Sequence, residues 1–591
     1  MPDLLNSTPI QQDAVSRGQR VIEAGGVALL FFAAFALRAW GFSQIGITHF
    51  DEGVYTLSGF WPFHQVQGSA LYPWQKLFSP PGYFGLIGIV NWIVGKPVDG
   101  NAIAINLALG SATVLLVFRA GNRFFGAPAG VSAATLVALS EFHIALSRTA
   151  LTDTGFSFFF LAALALTAIS FEKESPLWAI AAGLAIGAAW NFKYHGWLLV
   201  AFAFVVMCME AARKPASLGR ARILFRCWTV IVAVSAACFF PWMLYVQYRL
   251  GGYAAIEDFH LRFANFLWIH NFRELAEMQR YFDGWISRIS PAVAFLCGAV
   301  YSHRRMSSAM FRWTVAIEFF GLLLAGAVFT GFGACLLLAG LAVPTAWRTK
   351  SVFARLLLCA LLVLFVLTPC YTPYARLMLP WSLMVMLFAG FGIQQLLGEG
   401  RRSLAWEKLA TGKPWKRAAL TACLVGAAAV ALWIFQRPAP RTWMATTSAR
   451  DDAAEMVRRM PANSTVFVVA EPEAAFYFKQ AGLRTFCING IAYRGERLPH
   501  PFLYQGSAPV FVVGGFYGRA QWDWDPVMKN RKDQFRLVSR LSFQPGDMRL
   551  LDDFAPENAL VVRAETDHKY DLLLYQFLPE KKNASKTKGA S

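Results

Sequence analysis

The chain has 591 residues, 56% of them hydrophobic and 15% charged, with a net charge of +19. A soluble domain carries about 25% charge, and apolar runs of about 17–22 residues recur here, so a purely soluble protein is excluded in favour of a polytopic α-helical membrane protein. Much of the positive excess sits in short loops between apolar runs, so no nucleic-acid partner is expected, whereas phosphate or anionic lipid fits.

In chain order, residues 1–21 carry Arg17 and Arg20 and read as a short cytoplasmic N-terminus. The apolar run at 22–41 is long for a signal core and lacks an A-x-A site, so it reads as a retained first helix. Further apolar helices are expected at 101–118, 127–146, 154–171, 176–190, 197–212, 228–246, 285–301, 313–328, 330–347, 355–369, 378–396 and 418–436. The run at 82–96 decides the topology. If it spans, Asp51 and Asp153 fall on opposite sides and the basic block at 213–226 faces outward. If it lies in the interface, the basic loops at 119–123, 213–226, 303–312, 348–355 and 401–417 all face the cytoplasm. The loops at 42–80, 147–153, 191–196, 247–284 and 370–377 then all face outward. The positive-inside rule selects the second arrangement, with about thirteen spans, the N-terminus inside and the C-terminus outside, in the cell membrane.

The first outer loop is rich in aromatics and proline, with Trp61-Pro62-Phe63 and Tyr72-Pro73-Trp74, which suits amphipathic helices on the outer leaflet. In the 247–284 loop, His260 and His270 read as surface residues. The nine cysteines show no metal spacing, and no disulfide is expected. After the 22–436 membrane region, residues 437–579 read as a soluble extracytoplasmic α/β domain. Its helices are expected at Ala449–Met460 and Glu473–Gln480, and its strands at Ser464–Ala470, Ala508–Val513, Phe535–Phe543 and Leu572–Phe577. The lysine- and serine-rich tail at 580–591 is expected to be disordered.

With this phasing, one membrane face collects Asp51 and Glu52, then Arg148 and Asp153, then Lys193 and His195, then Tyr374 and Arg376. Carboxylates facing cations suit a substrate that pairs a phosphate with a hydroxyl: cations hold the phosphate and a carboxylate takes the proton. Each residue also has a plain structural reading. Acids favour a helix N-terminus, which covers Asp51 and Glu52, and Asp153 with Thr152 would cap a helix. Arg376 would snorkel to the interface, and Arg148, Lys193 and His195 would anchor helix ends. His49 is a candidate ligand or acceptor contact.

The Asp51-Glu52 pair after the first span, Pro80-Pro81-Gly82-Tyr83, the Arg148-Thr149-Ala150-Leu151-Thr152-Asp153 loop and the Tyr374-x-Arg376 element ending at Pro380 resemble the GT-C glycosyltransferases. The resemblance is strongest to the protein mannosyltransferase and lipid A aminoarabinose transferase-like group, families 39 and 83, and covers about residues 20–400. Two positions depart from that pattern: Thr154-Gly155 follows Asp153 where the family often has proline, and Leu377 follows Arg376 where it often has tyrosine. The resemblance implies a GT-C type fold with a polyprenyl-phosphate-linked sugar donor (undecaprenyl or dolichyl). It also implies inverting transfer outside the cytoplasm to a protein, lipid or glycan acceptor. In this reading Asp51 is the base, Glu52 tunes it by like-charge repulsion, and Asp153 orients the acceptor or a cation. Lys193, Arg376 and His195, with Arg148 and Tyr374, hold the donor phosphate. Asp51, Asp153 and a histidine are the set that would hold a divalent metal. The resembled group is not thought to need one, so no cofactor is expected. The competing functions are a transporter or flippase for a polyprenyl-linked lipid, and a receptor or assembly protein. A transporter would tend to show inverted repeats and mid-membrane polar sites, and no repeat is found.

Overall fold

The computed structural model of the chain describes residues 17–63, 79–213, 218–249, 251–303, 309–349, 351–399, 449–488, 501–504, 506–515, 530–543 and 570–578. Among these, eight helices are long and apolar enough to cross a membrane, or nine if one bent pair counts as a span. The span expected at 418–436 and the tail at 580–591 lie outside the described residues.

Helix α1 (Arg17–Ala39) runs to the end of the bundle where the cavity described below lies. The chain turns there through Gly41, whose φ of 63° is in the left-handed region that glycine tolerates, and enters α2 (Phe50–Ser58). A capping box starts α2. The His49 ring nitrogen Nδ1 accepts from the Asp51 N–H at 3.1 Å, and Glu52 reaches back to the His49 N–H at 3.0 Å.

Helix α3 (Gly82–Val94) begins and ends at this same end of the bundle. A Cβ at Gly82 would lie 2.5 Å from the Asn191 carbonyl oxygen. Near its other end, Asn91 donates to the Gly59 carbonyl at 3.1 Å and accepts from Asn101 at 2.9 Å. It does not cross the bundle, and this puts the loops on either side of it in register. Helix α4 (Asp99–Phe124) leads away and α5 (Ala127–Leu139) leads back. Their crossing is close because Gly121 meets Gly130: a Cβ on Gly121 would stand 2.7 Å from the Gly130 Cα. The helix expected over 127–146 is broken at Ser140, where the axis bends by 62° into α6 (Glu141–Ser147) and the serine side chain accepts from the His143 N–H.

Next come α7 (Thr152–Lys173), α8 (Pro176–Phe192), α9 (Leu198–Ala211) and α10 (Leu218–Arg249). Two short helices, α11 (Ala254–Leu261) and α12 (Trp268–Tyr281), sit at the cavity end. After α13 (Trp285–His303), the two apolar runs expected at 313–328 and 330–347 form α14 (Ala309–Arg348), broken at Thr330 (φ 73°, ψ 161°). Asp283 receives the freed Gly331 N–H at 2.8 Å. Helices α15 (Val352–Leu367) and α16 (Leu379–Glu399) complete the described bundle.

The C-terminal domain has α17 (Ala449–Arg458), β1 (Thr465–Val469), α18 (Pro472–Gln480), β2 (Arg484–Ile488), β3 (Val510–Gly514), β4 (Phe535–Phe543) and β5 (Tyr570–Phe577). The sheet order is β2-β1-β3-β5-β4, parallel across β2, β1 and β3 and antiparallel across β3, β5 and β4. Strands β1 and β3 are buried at every position, as parallel strands covered on both faces are. Strand β2 was not expected from the sequence. The domain seats α18 directly on α2.

Candidate active site

Four separate segments deliver the expected acids and cations to one cavity of about 1220 Å³. Asp51 stands in the first turn of α2, and its Oδ2 meets Arg376 Nη2 at 2.7 Å. Asp153 stands in the first turn of α7, and its Oδ1 meets Lys193 Nζ at 2.6 Å. Lys193 follows the C-terminus of α8, and Arg376 lies in a 3-10 turn, Ala375–Met378, just before α16. Both pairs are largely buried, so their geometry is set by packing as well as attraction. Arg376 also lies over the Tyr374 ring, 5.0 Å from its centroid. Asp51, Asp153, Lys193, His195, Tyr374 and Arg376 thus all line the cavity, as the sequence led us to expect.

Two residues assigned to this site do other work. The Glu52 carboxylate accepts from the backbone N–H groups of Thr48 (2.8 Å), His49 (3.0 Å) and Ala150 (2.8 Å). It staples α2 to the loop before α7, and it does not line the cavity. Arg148 is fully buried away from the cavity and donates to the carbonyls of Arg38 (2.8 Å) and Trp40 (2.6 Å), satisfying the C-terminal end of α1. It is a structural cap and not a phosphate ligand. His49 is the N-cap of α2. Because its Nδ1 accepts a backbone N–H, a neutral ring carries its proton on Nε2, so the 3.4 Å approach of Arg376 Nη1 is a contact between two donors.

His260 is a correction in the other direction. It lines the cavity, with Nδ1 3.4 Å from the Tyr371 hydroxyl and its ring edge-on to Tyr194. Burial, with the nearby Lys193 charge, pushes its pKa down to about 4, so it is neutral at physiological pH. The segment carrying it folds over the cavity and joins the chain just before Arg376. Asn265 N–H donates to the Cys370 carbonyl at 3.0 Å, and Thr372 N–H to the Phe263 carbonyl at 2.8 Å. His270 stays exposed. Tyr55 also lines the cavity. It lies four residues after Asp51 on α2, a spacing that puts both on one helix face and could have been read from the sequence. Burial, reinforced by the Asp51 charge, pushes the Tyr55 hydroxyl pKa up.

The remaining cavity wall is apolar. Trp197, Phe240, Met243 and Leu367 line it and are 40–50% exposed on the flank of the bundle. They belong to three of the apolar spans, so the cavity opens sideways, where lipid would lie. Among the described residues no group of three or more His, Cys, Asp or Glu gathers as a metal site. Asp51 and Asp153 each already face a cation, whereas a third carboxylate of the cavity lining, Glu257, is exposed.

The chain has the GT-C fold, that of a multi-pass membrane protein. It is similar to the crystal structure of ArnT from Cupriavidus metallidurans in the apo state, with 14% identity over 94% of this chain and 98% of that one and a TM-score of 0.51. It is also similar to the apo oligosaccharyltransferase of Archaeoglobus fulgidus, with 13% identity over 85% of this chain and 70% of that one and a TM-score of 0.50. At the level of sequence families, residues 75–252 match dolichyl-phosphate-mannose-protein mannosyltransferase. Comparison with curated proteins gives no match.

Proposed function

We propose that the protein is an inverting glycosyltransferase that moves a sugar from a polyprenyl-phosphate donor to a hydroxyl of a protein, lipid or glycan at the outer face of the membrane. The observation that carries this reading is the cavity itself. Its polar end holds two carboxylate–cation pairs, Asp51–Arg376 and Asp153–Lys193, and its apolar wall opens through the side of the bundle. A ligand with a charged phosphate and a long apolar tail matches both ends. The match of residues 75–252 to a family whose description names a dolichyl-phosphate sugar points the same way.

In this reading the lipid enters sideways and its phosphate competes with Asp51 for the Arg376 guanidinium. That exchange leaves Asp51 free to take a proton. The acceptor hydroxyl oxygen attacks the anomeric carbon, the bond from that carbon to the phosphate oxygen breaks, and the hydroxyl proton passes to Asp51. The departing lipid phosphate keeps the bonding electron pair, and Arg376 and Lys193 stabilise its charge, so no acid is needed. A single displacement inverts the anomeric centre. Asp153 holds Lys193 in place. Sidedness is supported by the opposite end of the bundle, where Arg123, Arg213 and Arg220 cluster and which the positive-inside rule assigns to the cytoplasm.

The test is release of lipid phosphate by purified protein given a panel of undecaprenyl-phosphate sugars and candidate acceptors. Asp51→Asn should lower turnover about 10²–10⁴-fold while the protein elutes and melts like the wild type. Full turnover by Asp51→Asn would remove Asp51 as the base.

A further inference from the structure

Every residue of α2 is buried, although the helix lies at the end of the bundle, beyond the first span. The cover on its outer side comes from the soluble domain. Gly53 of α2 touches the N-terminus of α18 so closely that a Cβ there would lie 2.1 Å from the Glu473 nitrogen and 2.4 Å from the Pro472 carbonyl carbon. No side chain fits between the two backbones. Phe60, just past α2, packs edge-on to Phe476, and the Lys479 ammonium lies 4.5 Å over the Phe60 ring.

The chain entering α2 is held from the same side. The Tyr477 hydroxyl accepts the Ile47 N–H at 2.9 Å and donates to Asp99 Oδ2 at 2.6 Å. Arg450 binds that same carboxylate oxygen through Nε (3.1 Å) and Nη2 (2.5 Å), and it also donates to the carbonyls of Ser43 and Ile45. The Ala449 N–H donates to the Ile47 carbonyl at 3.1 Å. The segment 43–47, the end of the 3-10 turn Phe42–Gln44 and the residues that follow it, therefore hangs on α17 and α18, and Asp51 follows four residues after Ile47. On its inner side α2 is fixed by the bond from Glu52 to the Ala150 N–H. The position of Asp51 is set between these two clamps, one from the bundle and one from the soluble domain.

We propose that the soluble domain is a working part of the active site, with Tyr477 as the positioning residue that fixes the entry to α2 and so sets where Asp51 stands against Arg376. The proposal rests on the glycosyltransferase reading for its kinetic consequence, but its structural clause can be tested without it. A displacement of about 1 Å at a reacting group can cost on the order of 10²-fold in rate. Tyr477 does not line the cavity, so its effect should fall on kcat and not on donor binding.

The full-length protein in lipid nanodiscs is compared as wild type, Tyr477→Phe, Gly53→Ala and Tyr504→Phe. The last removes a hydroxyl bonded to Thr465 in the same domain, away from α2. Three quantities are read: kcat and KM with the undecaprenyl-phosphate sugar that the wild type turns over, affinity for undecaprenyl phosphate, and amide hydrogen exchange of residues 47–58. Tyr477→Phe should lower kcat about tenfold or more, leave KM and undecaprenyl phosphate affinity within about twofold, and speed exchange across 47–58. Gly53→Ala should do the same more strongly, and Tyr504→Phe should do neither. Wild-type kcat and unchanged exchange in Tyr477→Phe would overturn the proposal, as would an equal loss in Tyr504→Phe. If the wild type turns over no polyprenyl-phosphate sugar, the glycosyltransferase reading fails, and exchange at 47–58 alone decides whether Tyr477 holds α2.

Discussion

The two ends of the helical bundle both bury carboxylates against cations, yet they use them differently. At the end away from the cavity, Glu210 is 2% exposed and is surrounded by Arg355, Arg213 and Arg220. One acid answers to three guanidinium groups, with side chains from α9, the turn after it, α10 and α15. At the cavity end, Asp51 and Asp153 are each joined to one cation, and each faces open space. A buried ion pair is expensive to make and more expensive to break. Where it is saturated it can only hold helices together. Where each partner keeps one side open to a cavity, an incoming anion can trade places with the acid. The difference lies in the space beside the pair and not in the residue types.

The comparison can be broken in three places. Arg376→Lys has the largest expected effect. It keeps the charge beside Asp51, and so the fold, but loses the planar fork that under the proposed function grips the donor phosphate. Turnover should fall about 10²-fold, the scale of losing one charge-stabilising donor. Unchanged turnover would make the Asp51–Arg376 pair as structural as the one at Glu210. Glu210→Gln should do the reverse. It leaves Arg355 buried without its acid, so the protein should lose about 3–5 kcal/mol of stability, seen as a lower melting temperature in nanodiscs. Turnover per folded molecule should stay within about twofold of wild type, and a selective loss of turnover would dissolve the contrast between the ends.

The smallest effect concerns pH and His260. Its pKa is lowered to about 4 in the folded protein, against about 6.5 for a free histidine. The unfolded chain therefore binds this proton more readily. Stability from this group is fully present above pH 6.5 and is lost as pH falls toward 4. His260→Gln should flatten that part of the stability profile and leave the pH dependence of turnover between about 6.5 and 8 unchanged. A turnover profile that shifts in that window would give His260 a proton-carrying role.

Much of this architecture is legible in the sequence because it rests on local pattern. The apolar runs give the helices, and the basic loops give the reading of 82–96 as a helix that does not span, which agrees with α3 staying at one end of the bundle. With that helix in phase, Asp51, Asp153, Lys193 and Arg376 fall at one end, as they do in the cavity. What the sequence could not show depends on who sits across the fold. Glu52 follows Asp51 directly, but a helix turns by about 100° per residue, and its carboxylate reaches Ala150 instead of the cavity. Arg148 looks like a phosphate ligand until the end of α1 is seen to need its donors. His260 reads as a surface residue because its cover, Tyr194 and Tyr371, comes from distant segments. Strand β2 (Arg484–Ile488) has too few alternations to stand out and gains its place by pairing beside β1. The meeting of Asp99 with Arg450 and Tyr477 spans more than 350 residues of chain.

Under the proposed function, the opening between Trp197, Phe240, Met243 and Leu367 sets the units in which this protein meets its donor. A substrate that comes in through the flank is never at a concentration in water. It is counted per area of bilayer, and an encounter is a two-dimensional search along the leaflet. Under the proposed function, rate should follow the mole fraction of donor among the surrounding lipids. Adding empty lipid or detergent at fixed total donor would slow the reaction by surface dilution alone, with every side chain in place.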